Sequence, residues 1–242
     1  MSIHPANPAS APAQALLGLA KPPVAVAFLS EPPPGVDRWR GAPQPAGCAF
    51  WQHAMAGEAF YTLPADHFNC AVGSYTHHIA LPPERAREFE DTVRFMVSNR
   101  YLDRDEVDEI PRLQKTPGAV AYAPIHLARF EPDVVVLAAN PGQAMIVFEA
   151  AIKADAGDSF STALGRPGCA LLPHVHSSGR TALSFGCKGN RTFTGTPDEE
   201  LYVAIPGRAW PRVVEKLSEV IVANAAMGEH YAAQKVRFAS AV

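Results

Sequence analysis

Two segments of this chain share one pattern. GCAFWQH at 47–53 and GCALLPH at 168–174 agree at glycine, cysteine, alanine and histidine at a single offset. An apolar run precedes each, PPVAVAF at 22–28 and EPDVVVLA at 131–138, and a second cysteine follows each, Cys70 after Cys48 and Cys187 after Cys169. These four are all the cysteines in the chain. Two copies of one unit give the expectation of one domain made of two related halves, about 13–115 and 116–242, with chance recurrence of a short Gly-Cys-Ala match as the alternative. The halves are expected to pack about a pseudo-two-fold axis, behind a flexible Pro/Ala/Ser-rich terminus at 1–12.

Composition narrows the function classes. At 242 residues and 48% apolar the chain can bury a full core. A net charge of −3 offers no basic face, so no nucleic-acid partner is expected. No apolar run approaches the ~18 residues that span a bilayer, so no membrane role is expected. The opening MSIHPANPASAPAQALL lacks a charged segment leading into an apolar one, so no secretory signal is expected and a cytoplasmic location is. Thiols stay reduced in that compartment, which argues against structural disulfides.

Strands and helices are mixed without regular alternation, so the expected class is α+β, mixed sheets with packed helices. Helices are expected at AQALLGLA, across CAFWQHAMAGEAF, and in PPERAREFEDTVRFMVSNRYL, where Phe89, Val93, Met96 and Val97 form one apolar stripe. Asn140 and Pro141 open another, and a last helix runs from Pro211. Strands are expected at 23–29, 119–125 and 133–139, and in TALSFGC and LYVAIP. The turn-rich stretch 30–47 reads as a long loop that Trp39 pins to the core.

Four thiolates from four points suit a tetrahedral metal or a cubane cluster, because thiolate is a soft ligand for zinc and iron. Glycine beside three of them (Gly47, Gly168 and Gly186) leaves room for a bulky group and backbone N–H for its sulfurs. Scattered buried thiols are the plain alternative. His53 and His174, five residues after their cysteines, are expected to support the site from outside the ligand set; His77, His78 and His176 stay open. In GCKGNR, Lys188, Asn190 and Arg191 follow Cys187 directly. The cations there either hold an anionic substrate or lower the thiol pKa. The acidic run Asp198, Glu199 and Glu200 reads as a polar turn rather than catalytic carboxylates. Nucleotide loops and hydrolase motifs are absent.

Across RPGCALLPHVHSSGRTALSFGCKGNRTFTGTPDEELYVAIPG the sequence resembles the domain of unknown function 169 family, with KPPVAVAF and the paired cysteines in support. The resemblance covers most of the chain. It implies a shared fold and a shared cysteine site at Cys48, Cys70, Cys169 and Cys187, and it brings no reaction with it.

The expected function is a four-cysteine metalloprotein holding an iron–sulfur cluster, 4Fe–4S, for redox or Lewis-acid chemistry on a small anionic molecule or with a redox partner protein. One alternative is a zinc-stabilised binding module without turnover. Another is a cysteine enzyme with Cys187 as nucleophile.

Overall fold

The computed structural model describes residues 10–158, 163–164 and 167–239, with side chains from 13 to 158 and from 167 to 236. Most of the flexible terminus expected at 1–12 lies outside these residues, and helix α1 (Ser10–Leu17) starts inside it.

The core is one sheet. Its strands are β1 (Val24–Leu29), β2 (Phe60–Thr62), β3 (Ala119–Pro124), β4 (Val134–Ala139), β5 (Ala163–Leu164), β6 (Ala182–Ser184) and β7 (Leu201–Pro206), in the order β2-β3-β1-β4-β7-β6-β5. Six are antiparallel, and two-residue β5 adds a parallel edge beside β6. The class is α+β, as the sequence indicates.

Strands β3, β4 and β7 are buried at every position. Both faces are covered. Val135, Leu137, Val203 and Ile205 meet α1, α5 (Pro141–Lys153) and the long α8 (Trp210–Ala239) on one side. Val134, Val136, Tyr202 and Ala204 meet α2 (Cys48–Met55) and α6 (Leu171–Ser178) on the other. Burial on both sides removes the need for polar residues at alternate positions, which is why these strands read as unbroken apolar runs.

Register repeats across the sheet. Val24 faces Pro124 in the β1–β3 pair, and Val134 faces Pro206 in the β4–β7 pair. Thr62 faces Val120 where β2 joins β3, and Ser184 faces Tyr202 where β6 joins β7. In the central β1–β4 pair, Val24 faces Val136 and Val26 faces Val134. Each terminal proline leads into a 3-10 turn whose first N–H bonds the carbonyl just before the opposite strand. Ile125 donates to Pro23 at 2.8 Å, and Gly207 donates to Asp133 at 2.8 Å. A side chain at Gly207 would collide with the Pro132 carbonyl, so this turn requires glycine.

Several boundaries differ from expectation. The helix of 48–60 ends at Met55, and Phe60 begins an edge strand. The regular turns of α4 (Glu88–Ser98) begin five residues after Pro83, behind a separate 3-10 turn at Pro83–Arg85. Its stripe closes a small core of its own, Val93, Leu102 and Val107 with Phe89, Met96 and Tyr101 around them. Trp39 does pin its loop. Its N–H donates to Tyr61 O at 2.7 Å, and its ring packs 4.8 Å from Phe60 and 5.6 Å from Phe50. The expected cap of α5 is present as a reciprocal Asn140–Gln143 pair, both bonds 2.9 Å.

Candidate functional site

All four cysteines lie at or just before the start of a helix. Cys48 is the first residue of α2. Cys169 lies in the 3-10 turn Gly168–Ala170 that leads into α6. Cys70 caps α3 (Ala71–Thr76), its Sγ accepting the Gly73 N–H at 3.2 Å. Cys187 caps α7 (Lys188–Thr194), its Sγ accepting the Asn190 N–H at 3.3 Å. Cys70 and Cys187 thus use sulfur where helices ordinarily use a hydroxyl or carboxylate, to satisfy one of the first-turn donors. Glycine at 73 suits this close turn, since a Cβ there would press on Cys70 Sγ at 3.2 Å.

Burial raises three of the thiols. Burial, with smaller contributions from charge on Cys70 and Cys187, pushes Cys48 up to about 12. Cys169 is raised well above an ordinary thiol, first by burial and then by Cys70, with Cys48 and Cys187 contributing. Cys70 is raised by burial and by Cys187, against the backbone N–H groups of Gly73, Gly47 and Val72. All four are free thiols, with Cys48 and Cys169 buried and Cys70 and Cys187 partly exposed. Cys48, Cys70 and Cys169 are thus each shifted by charge on at least one other thiol, with burial the larger cause.

Polar groups around them are under-used. Asn190 is 1% exposed, and neither atom of its side-chain amide has a hydrogen-bond partner. Its helix α7 packs against α2, and the amide opposes the rise in the Cys48 pKa. His67 and His77 are 2% and 1% exposed, their rings stacked 5.4 Å apart. Thr62 Oγ1 donates to Val120 O at 3.2 Å and lies 2.8 Å from His67 Nε2, while His67 Nδ1 has no partner. His77 Nδ1 lies 3.0 Å from Gly73 O, which accepts its proton, and Nε2 is unpartnered. Thr76 Oγ1 reaches Cys169 Sγ at 3.5 Å. Burial holds both imidazoles neutral: His67 lies well below the usual range and His77 at about 4.

An open cleft of about 540 Å³ reaches Cys187, between Tyr101 and Glu106 on one side and Phe185, Lys188 and Arg191 on the other. Arg191 does not present its fork to this cleft. Its Nη2 donates to Phe185 O at 2.6 Å and Glu200 O at 2.9 Å, and Nη1 donates to Pro197 O at 2.5 Å. Its guanidinium ties the turn before β7 to the end of β6. Lys188 is exposed and is the cation left to meet a ligand.

The other residues singled out by sequence fall elsewhere. His53 Nδ1 bonds Glu58 at 3.0 Å, and its ring packs 4.5 Å from Trp39. His174 is half-buried, and desolvation lowers its pKa. His176 Nδ1 lies 3.7 Å from Asp133, and His78 Nδ1 lies 3.0 Å from Leu113 O. Of the acidic run, Glu200 pairs with Lys21 at 2.9 Å. The buried histidines by the thiols are instead His67 and His77. His67 carries no sequence signal, since Pro-Ala-Asp-His reads as a surface turn.

Among the described residues, no three His, Cys, Asp or Glu side chains stand together as a cage for a metal ion. No described helix is long and apolar enough to cross a membrane.

Fold and site together define an α+β protein with four free thiols, each at or just before a helix start. The chain belongs to the domain of unknown function 169 family, described as uncharacterised ArCR, whose profile matches residues 14–216. It is also similar to an uncharacterised protein of Methanocaldococcus jannaschii, 28% identical over 113 residues, which cover 46% of this chain and 48% of that protein. The match thus spans about half the length of that curated relative. No solved structure matches the chain.

Proposed function

We propose that Cys48, Cys70, Cys169 and Cys187 hold an iron–sulfur cluster of the 4Fe–4S type between two duplicated halves. The observation that carries the reading is a run of contacts linking the four helix starts: Gly73 packs on Gly47 beside Cys48, Thr76 of α3 reaches Cys169 Sγ at 3.5 Å, and Gly168 packs on the Cys187 backbone. A single ion with Zn–S bonds of about 2.3 Å needs its sulfurs nearly touching. A cubane takes one thiolate per iron and holds the sulfurs farther apart, which suits thiols that sense one another without forming a ready cage. Orphaned polar atoms on Asn190, His67 and His77 support the fit, because buried polar groups without partners are uncommon in finished cores.

Matched register supports the duplication. Pairing β1, β2 and β3 with β4, β6 and β7 makes the strand order read alike from either end. On that matching the halves divide after β3 and its turn, later than residue 115. Each half then supplies one cysteine at a Gly-Cys helix start and one that caps a helix with its sulfur.

When bound, such a cluster supplies one-electron redox chemistry or, with one ligand withdrawn, Lewis-acid polarisation of a small substrate. The chain's own part is to position and exclude. Sheet and helices bury Cys48 and Cys169, while the cleft at Cys187 admits a small anionic molecule or meets a redox partner. Lys188 attracts the anion, and Arg191 keeps the cleft wall rigid.

A second reading is favoured by one observation: Cys187 lines the cleft and accepts a helix N–H, as a nucleophilic cysteine would. A zinc-stabilised binding module remains the third.

Absorption spectra with iron, sulfide and zinc analysis on anaerobically purified protein separate these readings. A band near about 400 nm with about four irons and four sulfides per chain is expected. Colourless protein with one zinc would favour the binding module, and metal-free protein that Cys187→Ala alone inactivates would favour the nucleophile.

A further inference from the structure

We propose that the side chain of Asn190 is the hydrogen-bond donor that sets the reduction potential of the group bound by the four cysteines, a positioning residue rather than a ligand. The inference rests on the cluster reading above.

The helix does not need this side chain. The N–H of Asn190 caps Cys187, and the N–H of Gly73 makes the matching bond to Cys70 with no side chain at all. Surface exposure does not explain it either, since Asn190 is 1% exposed. A buried carboxamide with both atoms unpartnered weakens the fold that contains it, whereas alanine at this position would leave no polar atom stranded.

The surroundings fix where the amide points. Glycine at 186 has φ 71°, and a Cβ there would come within 2.7 Å of Asn190 Oδ1. Gly186 therefore leaves the space that this side chain fills. Helix α7, which carries the amide, packs against α2, which Cys48 opens, while the backbone N–H of Asn190 serves Cys187. An N–H aimed at sulfur strengthens as negative charge builds on the cluster, so it favours the reduced form.

The test uses full-length protein purified anaerobically, comparing wild type with Asn190→Ala and Asn190→Asp. Both variants should retain wild-type iron and sulfide. Each should shift the reduction equilibrium at least about tenfold toward the oxidised form, about 59 mV more negative for a one-electron couple. Asn190→Asp should shift further than Asn190→Ala, because it brings negative charge where a donor stood. It also keeps the side-chain shape, so the test survives if Asn190→Ala does not fold. Full cluster at unchanged potential in Asn190→Asp would overturn the inference while leaving the cluster reading intact. So would loss of iron from a folded Asn190→Asp, since a tuning donor is dispensable for assembly. Wild-type protein without iron would overturn both.

Discussion

Lys188 and Arg191 sit three residues apart beside one cysteine, yet the structure gives them different tasks. Arg191 spends its guanidinium on backbone carbonyls and Lys188 stays exposed. Replacing Arg191 with alanine should cost about 2 kcal/mol of stability, seen as a lowered denaturant midpoint, because charged donors leave their carbonyls unpaired. Lys188→Ala should leave stability within about 0.5 kcal/mol and weaken binding of small anions instead. His77 gives a pH signature of its own. Its pKa falls from 6.5 unfolded to about 4 folded, so the unfolded chain binds more protons between those values. Its stabilising share is present above pH 6.5 and lost as pH falls through 4. That share amounts to about 3 kcal/mol, and His77→Phe should flatten this part of a stability–pH curve for the metal-free protein.

Caps and ligands can be separated at the level of elements. Cys70→Ser keeps an acceptor for the Gly73 N–H, whereas Cys70→Ala removes it. Metal-free Cys70→Ala should therefore lose about 1 kcal/mol relative to Cys70→Ser, while both should lose the cluster if the thiolate is a ligand. Chemical denaturation and iron content measure the two effects independently. Helix α8 divides in the same spirit. Val213, Leu217 and Val220 are buried on the sheet, but every residue from Ala225 to Val236 is exposed. Removing the chain from Ala225 onward should cost less than about 1 kcal/mol, because almost no buried area goes with it.

On the scale of the whole molecule, gathering buried thiols makes the metal-free fold sensitive to alkali. Cys48 rises from 9 to about 12 on folding, and Cys70 and Cys169 rise too. The folded state therefore holds protons that the unfolded chain has released. Stability is full below pH 9 and declines as pH climbs toward 12. Thiolate ligation removes those protons, so metal-loaded protein should lack the decline and should release protons on loading. Thermal unfolding of both forms between pH 7 and 11 checks this.

Much of this was legible in the order of residues. The long strands announced themselves because the sheet is covered on both faces, and a stretch such as VVVLAA has few other homes. Asn140 and Pro141 carried their own cap. The repeated Gly-Cys units marked two helix starts, those of α2 and α6. Short edge strands were less visible: Phe60–Thr62 has three residues, too few for a period, and owes its conformation to β3.

What the sequence alone determined is what local chemistry can encode: apolar runs, helix starts, and two copies of a cysteine unit. Tertiary structure decided the rest. It buried His67 and His77 by the thiols and sent His53 to Glu58, because burial depends on which elements pack above a residue rather than on its neighbours in the chain. It turned Arg191 inward, because carbonyls from 185, 197 and 200 converge only once β6 and β7 are paired. It also packed α7 with its buried Asn190 against α2, whose first residue Cys48 lies 142 positions earlier in the chain, a relation that spacing cannot express and packing can.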